Sequence, residues 1–226
     1  MAYNCACSSS FDNFVSKRCV LLGASPVKDF NFIKKILSKN DFLICVDGGL
    51  NLCKKLHLKI DLFVGDMDSK KSPLPKINTL ILNKEKNETD TMVAARQGLL
   101  KGFNDFLILG GTGARLDHLY ANLCTLKFLT KNKVRASLLD EHNEILILPK
   151  GSKISIKKTT KYFSIFPFGC NFCQLSGHGF KYKLNGTKIF SHATNGISNE
   201  ILDKQAKLFV ENGTALIFSS NDSQGG

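Results

Sequence analysis

The other motifs of this chain are arranged around the stretch Asp61-Leu62-Phe63-Val64-Gly65-Asp66-Met67-Asp68-Ser69. Its apolar residues predict a short buried strand, and Gly65 allows the backbone to turn sharply where that strand ends. Asp66 and Asp68 then follow at the carboxyl edge of a sheet, where open α/β folds bind ligands. Carboxylates at this spacing suit Mg²⁺, which commonly takes one or two of them plus substrate phosphates. A surface turn explains the same residues, because Gly, Asp and Ser all favour turns.

The composition indicates a globular protein without a membrane-spanning segment. Of the 226 residues 43% are hydrophobic, and no apolar run approaches the length of a membrane span. Residues 1–17 lack the apolar centre of a secretory signal, so we expect a polar N-terminal extension and a cytoplasmic protein. The net charge of +12 comes mainly from dispersed lysines. Such a charge attracts anionic substrates, but this pattern does not indicate a nucleic-acid partner.

The eight cysteines do not by themselves indicate disulfides, because nothing else in the sequence points to export. Cys45, Cys53 and Cys124 fall within apolar patterns and are expected to be reduced core residues. Cys170 and Cys173 form a CxxC pair. A zinc site built on this pair would need ligands from the N-terminal extension, so we do not favour it.

Strand, turn and helix alternate along the first two thirds of the chain. The predicted strands lie at residues 20–24, 42–46, 62–64, 79–82 and 106–109. The longest predicted helix should bury Leu116, Leu119, Tyr120, Leu123 and Leu126. This alternation predicts a parallel sheet flanked by helices, to which we assign residues 18–148.

The helical periodicity stops after Pro149. Short strands between Gly, Asn and Lys turns are predicted at residues 153–158, 162–167, 172–176, 180–184 and 215–218. They favour an all-β sandwich over residues 149–226. The predicted fold class is therefore α/β, with an N-terminal parallel sheet flanked by helices and a C-terminal all-β sandwich domain.

Two further strand-end segments carry candidate ligand-binding residues. Asp47-Gly48-Gly49 follows the second strand, and its glycines allow the backbone to come close to a ligand. After the fourth strand, Asn87 is expected to cap a helix whose third residue is Asp90, where a carboxylate suits the free N–H groups. Ordinary strand-to-helix turns would account for both segments without a ligand.

The segment after the fifth strand has the composition of a phosphate cradle. Gly110-Gly111-Thr112-Gly113 exposes consecutive N–H groups near a helix start. Arg115 could grip phosphate oxygens, and Asp117 is either a metal ligand or simply a first-turn acid. The chain contains no GxxxxGK[ST] motif, and this segment does not match GxGxxG. In one parallel sheet all these loops would meet at one edge, where a divalent cation would neutralise the acids.

Taken in order, DGG, GDxDS, a Thr-Asp pair opening a helix, and GGxGxRxDH resemble the thiamine pyrophosphokinase family. The resemblance extends over roughly residues 20–219 and includes later segments. These are Asp140-Glu-His-Asn143, Phe166-Pro-Phe-Gly169, Gly179-Phe-Lys-Tyr-Lys-Leu184 and Gly196-Ile-Ser-Asn-Glu200. The chain departs from the family pattern where Asn87 replaces the usual aspartate and Ala114 the usual glycine, and it has no tryptophan to stack on thiamine.

The resemblance implies an enzyme that transfers pyrophosphate from ATP to the hydroxyl group of thiamine, giving thiamine diphosphate and AMP. It implies a Mg²⁺ ion held by Asp66, Asp68, Asp90 and Asp117, of which the last three, with Arg115, are also the expected catalytic residues. The expected ATP-binding residues are Asp47, Gly48, Gly49, Gly110, Gly111, Thr112, Gly113 and Arg115.

The resemblance also implies a homodimer, in which Ser198 and Asn199 contact thiamine between this half of one subunit and the α/β half of its partner. These two residues are short polar groups in an apolar strand pattern, and turn chemistry would explain them equally well. Two other functions remain open. A strand followed by DxD and Ser is also found in metal-dependent phosphatases that form an aspartyl-phosphate. A non-catalytic thiamine or nucleotide sensor is the second alternative, suggested by Asn87.

Overall fold

The computed structural model describes residues 17–27, 29–66, 77–82, 87–113 and 115–222. These residues belong to two compact units, of which the first ends at Glu141 and the second begins at His142. The predicted boundary between the two domains lay after residue 148. The strand between these two positions pairs with the last strand of the chain, so it belongs to the second unit.

The first unit alternates strands and helices. In chain order its elements are β1 (Cys19–Leu22), α1 (Phe30–Ile36), β2 (Phe42–Val46), α2 (Gly49–Lys55), β3 (Leu62–Gly65), β4 (Thr79–Ile81), α3 (Asp90–Leu100), β5 (Asp105–Leu109), α4 (Leu116–Lys131) and β6 (Arg135–Leu139). The strands form a parallel sheet in the order β4-β3-β2-β1-β5-β6. The predicted parallel sheet flanked by helices is confirmed.

Helices cover both faces of this sheet, which is why its central strands are apolar at every position. On one face, Val20 and Leu22 of β1 belong to a core that includes Ile33 of α1 and Cys53 of α2. On the other face, Gly98 of α3 lies directly against β1 and β5. All four residues of β1 are fully buried. Strand β1 is therefore the centre of the unit.

Helix α4 differs from its predicted burial near its N-terminus. Leu123 and Leu126 are buried as expected, but Leu116 and Tyr120 are 74% and 62% exposed. These two side chains lie outside the core, even though they follow the spacing of the buried residues. Helical spacing alone does not identify which part of a stripe another element covers.

The second unit consists of antiparallel strands. They are β7 (Asn143–Pro149), β8 (Lys153–Lys157), β9 (Tyr162–Pro167), β10 (Phe172–His178), β11 (Leu184–Phe190), β12 (Gln205–Asn212) and β13 (Thr214–Ser220). Strand β13 pairs with β7 and β9, and a separate sheet has the order β11-β10-β12-β8. One apolar core contains Ile165 and Ile217 from the first group and Leu175 and Leu208 from the second. The predicted all-β sandwich is confirmed.

The strand predicted at residues 180–184 is displaced, because β11 begins only at Leu184. Strands β7 and β12 were not predicted. Strand β12 alternates buried Ala206, Leu208 and Val210 with more exposed neighbours, which is the pattern of a half-buried strand.

In the described part of the chain, no helix has both the length and the apolar character needed to span a membrane.

Candidate functional site

The ends of β2 and β3 lie side by side, and each carries one of the predicted acids. Asp47 follows β2 with φ of 45°, a left-handed conformation that non-glycine residues seldom adopt. Its N–H donates to the carbonyl oxygen of Val64 at 2.8 Å. A Cβ atom placed on Gly65 would lie 3.1 Å from the Cα atom of Asp47, and Asp66 follows directly, half-buried. The structure therefore brings Asp47 and Asp66 to adjacent strand ends.

The two glycines after Asp47 pack against the end of β1. Gly48 is the N-cap of α2, and Gly49 is its first residue. A Cβ atom on Gly49 would collide with the carbonyl oxygen of Leu22, and one on Gly48 would lie 2.9 Å from the Cβ atom of Ala24. The glycines are therefore required for the backbone to approach β1 this closely.

The loop after β5 packs against the same end of β1 from the other side. Gly110 has φ of 60°, and a Cβ atom there would lie 2.6 Å from the carbonyl oxygen of Gly23. The N–H of Ser25 donates to the carbonyl oxygen of Gly110 at 3.0 Å. A Cβ atom on Gly113 would lie 2.9 Å from the Ser25 Oγ atom, and Thr112 between the glycines is half-buried. Gly110 and Gly113 thus lie beside the end of β1, whereas Gly111 packs against Ile108 and Asn122.

The loop after β1 was not among the predicted site residues. Gly23 and Ser25 form part of the strand-end surface because they separate the loop after β2 from the loop after β5. The sequence pattern that could have identified this loop is Gly23, a glycine that immediately follows a buried strand. Gly65 was identified by the same pattern.

Helix α3 begins later than predicted. Asp90 is its first residue, and the N-cap is Thr89, whose side chain accepts a hydrogen bond from the Met92 N–H at 3.3 Å. Asn87 is therefore not the cap; it lies two residues before Thr89 and is exposed. The half-buried Asp90 lies in the first helical turn, where a carboxylate is favoured.

Arg115 and Asp117 form an exposed ion pair at the start of α4. The Arg115 Nη2 and Nε atoms lie 2.6 Å and 3.2 Å from the two carboxylate oxygens of Asp117. The Asp117 carboxylate also accepts the His118 N–H at 3.0 Å. The hydrogen bonds from Arg115 lower the pKa of Asp117, and its carboxylate in turn raises the pKa of Arg115. Arg115, which was predicted to bind phosphate, and Asp117, which was predicted to bind the metal ion, therefore form an ion pair with each other.

The described residues alone do not assemble a metal site with three side-chain ligands. Across the ranges of the chain that the structure covers, no three His, Cys, Asp or Glu side chains lie close enough to share an ion. Asp66, Asp90 and Asp117 are within those ranges, but the fourth predicted ligand, Asp68, lies outside them. Mg²⁺ often takes only one or two protein carboxylates when it is bound together with phosphates. The donor chemistry of these acids thus fits Mg²⁺, and the four-aspartate site stays a prediction.

The second unit holds Ser198 in a strained and exposed position. Its φ is 56°, and its N–H donates to the Ser164 Oγ atom at 3.0 Å. The neighbouring Gly196 accepts a hydrogen bond from the Ile165 N–H at 2.8 Å. Ser198 lies in the connection between β11 and β12, so its prediction as part of a strand pattern was wrong. A left-handed serine that is held on both sides is a reasonable candidate for ligand contact.

Asn199 holds a neighbouring backbone segment with its side chain. The residue is 6% exposed. Its Oδ1 atom accepts the N–H groups of Tyr182 and Glu200 at 2.9 Å and 2.8 Å, and its Nδ2 atom donates to the Tyr182 carbonyl oxygen at 2.9 Å. Its contact with thiamine stays a prediction, and its structural role is evident.

Four of the six cysteines in the described part of the chain are buried. Cys45 and Cys53 are buried in the first unit as predicted, whereas Cys124 is half-buried. Burial raises the pKa of the Cys173 thiol to about 11, so it is protonated at neutral pH.

Comparisons with known proteins identify the two units separately. A family model described as "Thiamin pyrophosphokinase, catalytic domain" matches residues 33–138, and one described as "vitamin B1 binding domain" of the same protein matches residues 151–217. The matched models describe a two-domain enzyme. Together they cover about three quarters of the chain, which belongs to the thiamine pyrophosphokinase family.

Individual relatives agree with this assignment. The thiamine pyrophosphokinase of Bacillus subtilis is 32% identical over 139 residues, which are 61% of this chain and 65% of that protein. Thiamin pyrophosphokinase 1 of Caenorhabditis elegans is 23% identical over 89% of this chain and 87% of its own length. The crystal structure of the Bacillus subtilis enzyme superposes with a TM-score of 0.83 and 26% identity, over 92% of this chain and all of that one. None of these matches supports the phosphatase or the non-catalytic sensor.

The ion pair at the start of α4 predicts a specific titration. Arg115 lowers the pKa of Asp117 in the folded protein below its value in the unfolded chain. Any stability that this ion pair adds is therefore present at a pH above the pKa of Asp117 in the unfolded chain, and it is lost as the pH falls through the pKa of Asp117 in the folded protein. We expect Arg115→Gln to raise the pKa of Asp117, measured by NMR of the carboxyl carbon. The control is Arg96→Gln, which removes the partner of Glu88, 2.7 Å away, and should shift Glu88 only. An unchanged Asp117 titration in Arg115→Gln would contradict this geometry.

The contacts of Asn199 predict a cost in stability. Asn199→Ala should lower the free energy of unfolding by about 1–3 kcal/mol, because it removes the hydrogen bonds that the buried Asn199 amide makes to both backbone groups of Tyr182. Urea denaturation would measure the change. Ser198→Gly is the matched control, since glycine adopts the positive φ without strain and should leave stability unchanged or slightly higher. Equal stability of the two variants would exclude the structural role of Asn199.

Proposed function

We propose that this protein is a Mg²⁺-dependent enzyme that transfers a pyrophosphoryl group from ATP to the hydroxyethyl oxygen of thiamine. The observation that supports this most strongly is the order of the two matched family models, a catalytic domain followed by a vitamin B1 binding domain. In the reaction the thiamine oxygen bonds to the β-phosphorus of ATP. The bond between that phosphorus and the oxygen bridging to the α-phosphorus breaks, and AMP leaves with that oxygen.

The strand-end loops of the first unit are the proposed nucleotide site. Gly110, Gly111, Thr112 and Gly113, with Asp47, Gly48 and Gly49, would approach ATP through their backbone. The close packing of both loops on the end of β1 supports this role, because a preorganised backbone donor needs no rearrangement when charge develops. Arg115 would add a planar donor for phosphate oxygens.

Four acids would hold the metal ion, namely Asp66, Asp68, Asp90 and Asp117. When bound, Mg²⁺ supplies positive charge that offsets the charge of the transferred phosphates. The chain's own contribution is to orient the two substrates and to accept the hydroxyl proton, a role for either Asp68 or Asp90. Asp117 can take part once a phosphate competes for Arg115, because the two side chains are exposed and free to separate.

The second unit would supply the thiamine contacts. Ser198 is exposed in a strained conformation, and Asn199 fixes the backbone of Tyr182 beside it. We assign both residues to thiamine binding, Ser198 through its hydroxyl group. The Asn199 Nδ2 atom donates one hydrogen to the Tyr182 carbonyl oxygen, and its second hydrogen would donate to thiamine.

The assignment of Asp68 is tested by one conservative substitution. Asp68→Asn should lower the rate of AMP and thiamine diphosphate formation from thiamine and MgATP by at least about a hundredfold, the loss of one strong electrostatic contact. Chromatographic separation of the products measures both compounds. The matched control is Asp203→Asn, an equal change of charge at an exposed site of the second unit. Near-normal AMP release by Asp68→Asn would refute the assignment.

We also propose a homodimer in the cytoplasm. Sedimentation should detect a particle of twice the 25.0 kDa chain mass, and a fully active monomer would exclude the dimer.

The cytoplasm is the compartment expected to keep the buried thiols of Cys19, Cys45 and Cys53 reduced. Cell fractionation would test whether the protein is located there.

A further inference from the structure

The loop after β5 is held through three consecutive carbonyl groups. The oxygen of Leu109 accepts the Gly23 N–H at 2.8 Å, and the oxygen of Gly110 accepts the Ser25 N–H at 3.0 Å. The third, that of Gly111, accepts the Nδ2 atom of Asn122 at 2.8 Å. The first two bonds are donated by the backbone N–H groups of Gly23 and Ser25, so they do not depend on the side chains of those residues. The third depends on one amide side chain.

Asn122 is placed for this bond by its burial in α4. It is 8% exposed, and a buried polar side chain needs a partner. Gly111 allows the close approach, because a Cβ atom there would lie 2.9 Å from the Ile108 Cγ2 atom and 3.2 Å from the Asn122 Nδ2 atom. The loop and the helix behind it are therefore joined by a side-chain contact that a larger residue at position 111 would disturb.

This bond fixes the direction of the next N–H group. The C=O and N–H groups of a trans peptide point in opposite directions, and the described residues contain no cis peptide. Because the Gly111 carbonyl points at Asn122, the Thr112 N–H points away from Asn122. It thereby points away from the buried amide of α4, which leaves it available to an anion at the strand ends.

We propose that Asn122 is a positioning residue for the nucleotide, and that it orients the Gly111–Thr112 peptide so that the Thr112 N–H meets a phosphate oxygen of ATP. This inference rests on the proposed function of the loop. Asn122 itself does not touch the phosphate; it acts through the peptide. Its loss should therefore weaken ATP binding without affecting thiamine binding.

The central test is Asn122→Asp, which keeps the size of the side chain but replaces the amide donor by a carboxylate that can only accept. We expect KM for ATP to rise about tenfold to a hundredfold, the loss of a hydrogen bond to a charged group, while KM for thiamine changes less than about twofold. The introduced carboxyl group can donate again once it is protonated, so KM for ATP should fall as the pH is lowered. Wild-type enzyme should lack that recovery.

A second variant and a control separate positioning from damage to the helix. Asn122→Ser should raise KM for ATP similarly, because its shorter hydroxyl cannot reach Gly111, but without recovery at low pH. Thr125→Val removes another buried hydrogen bond of α4, from Oγ1 to the Ala121 carbonyl oxygen at 3.1 Å, and should lower stability while leaving KM for ATP unchanged. A rise in KM for ATP in Thr125→Val equal to that in Asn122→Ser would overturn the proposal.

Calorimetry with ATP distinguishes failure of this inference from failure of the proposed function. If wild-type protein forms AMP and both Asn122 variants keep its ATP affinity, the inference alone is overturned. If wild-type protein binds ATP but forms no AMP, the proposed reaction fails, and weaker ATP binding by the Asn122 variants still supports the positioning role. If wild-type protein does not bind ATP, both are overturned.

Discussion

The close approach of backbone at the end of β1 is the constraint on which the first unit depends. Gly23 and Gly110 stand so near each other that a Cβ atom on either would lie 2.6 Å from the other's carbonyl oxygen. Gly49 meets β1 from the side of β2 in the same way. Larger residues at these positions would push the loops apart. Separation would remove the surface on which neighbouring strand ends present their N–H groups and carboxylates together.

The charges at this surface oppose those of the whole chain. A net charge of +12 attracts polyphosphate over long distances, while the strand ends carry acids that repel it locally. The Arg115–Asp117 ion pair neutralises one of these acids within the chain itself. Exposed ion pairs are weak, so both groups remain available to stronger partners.

In the second unit, a polar side chain that was predicted to contact a ligand has a structural role. Asn199 was singled out as a polar residue in an apolar context, which is also the description of a buried structural amide. Its three hydrogen bonds hold the Tyr182 backbone and the Glu200 N–H. Ser198 next to it keeps its hydroxyl exposed and its backbone left-handed. Neighbouring residues of similar chemistry thus have different degrees of freedom to meet a substrate.

Local patterns in the sequence determined the alternation of strands and helices, the glycines at strand ends and the order of the acidic motifs, because each depends on residues close together in the chain. They were also sufficient for the family resemblance. Only the tertiary structure decided that Thr89 rather than Asn87 caps α3, that Leu116 and Tyr120 stay exposed, and that Asn122 holds Gly111. The burial of a residue and the hydrogen-bond partners of its side chain depend on which distant segments pack against it. The periodicity of the local sequence does not contain that information.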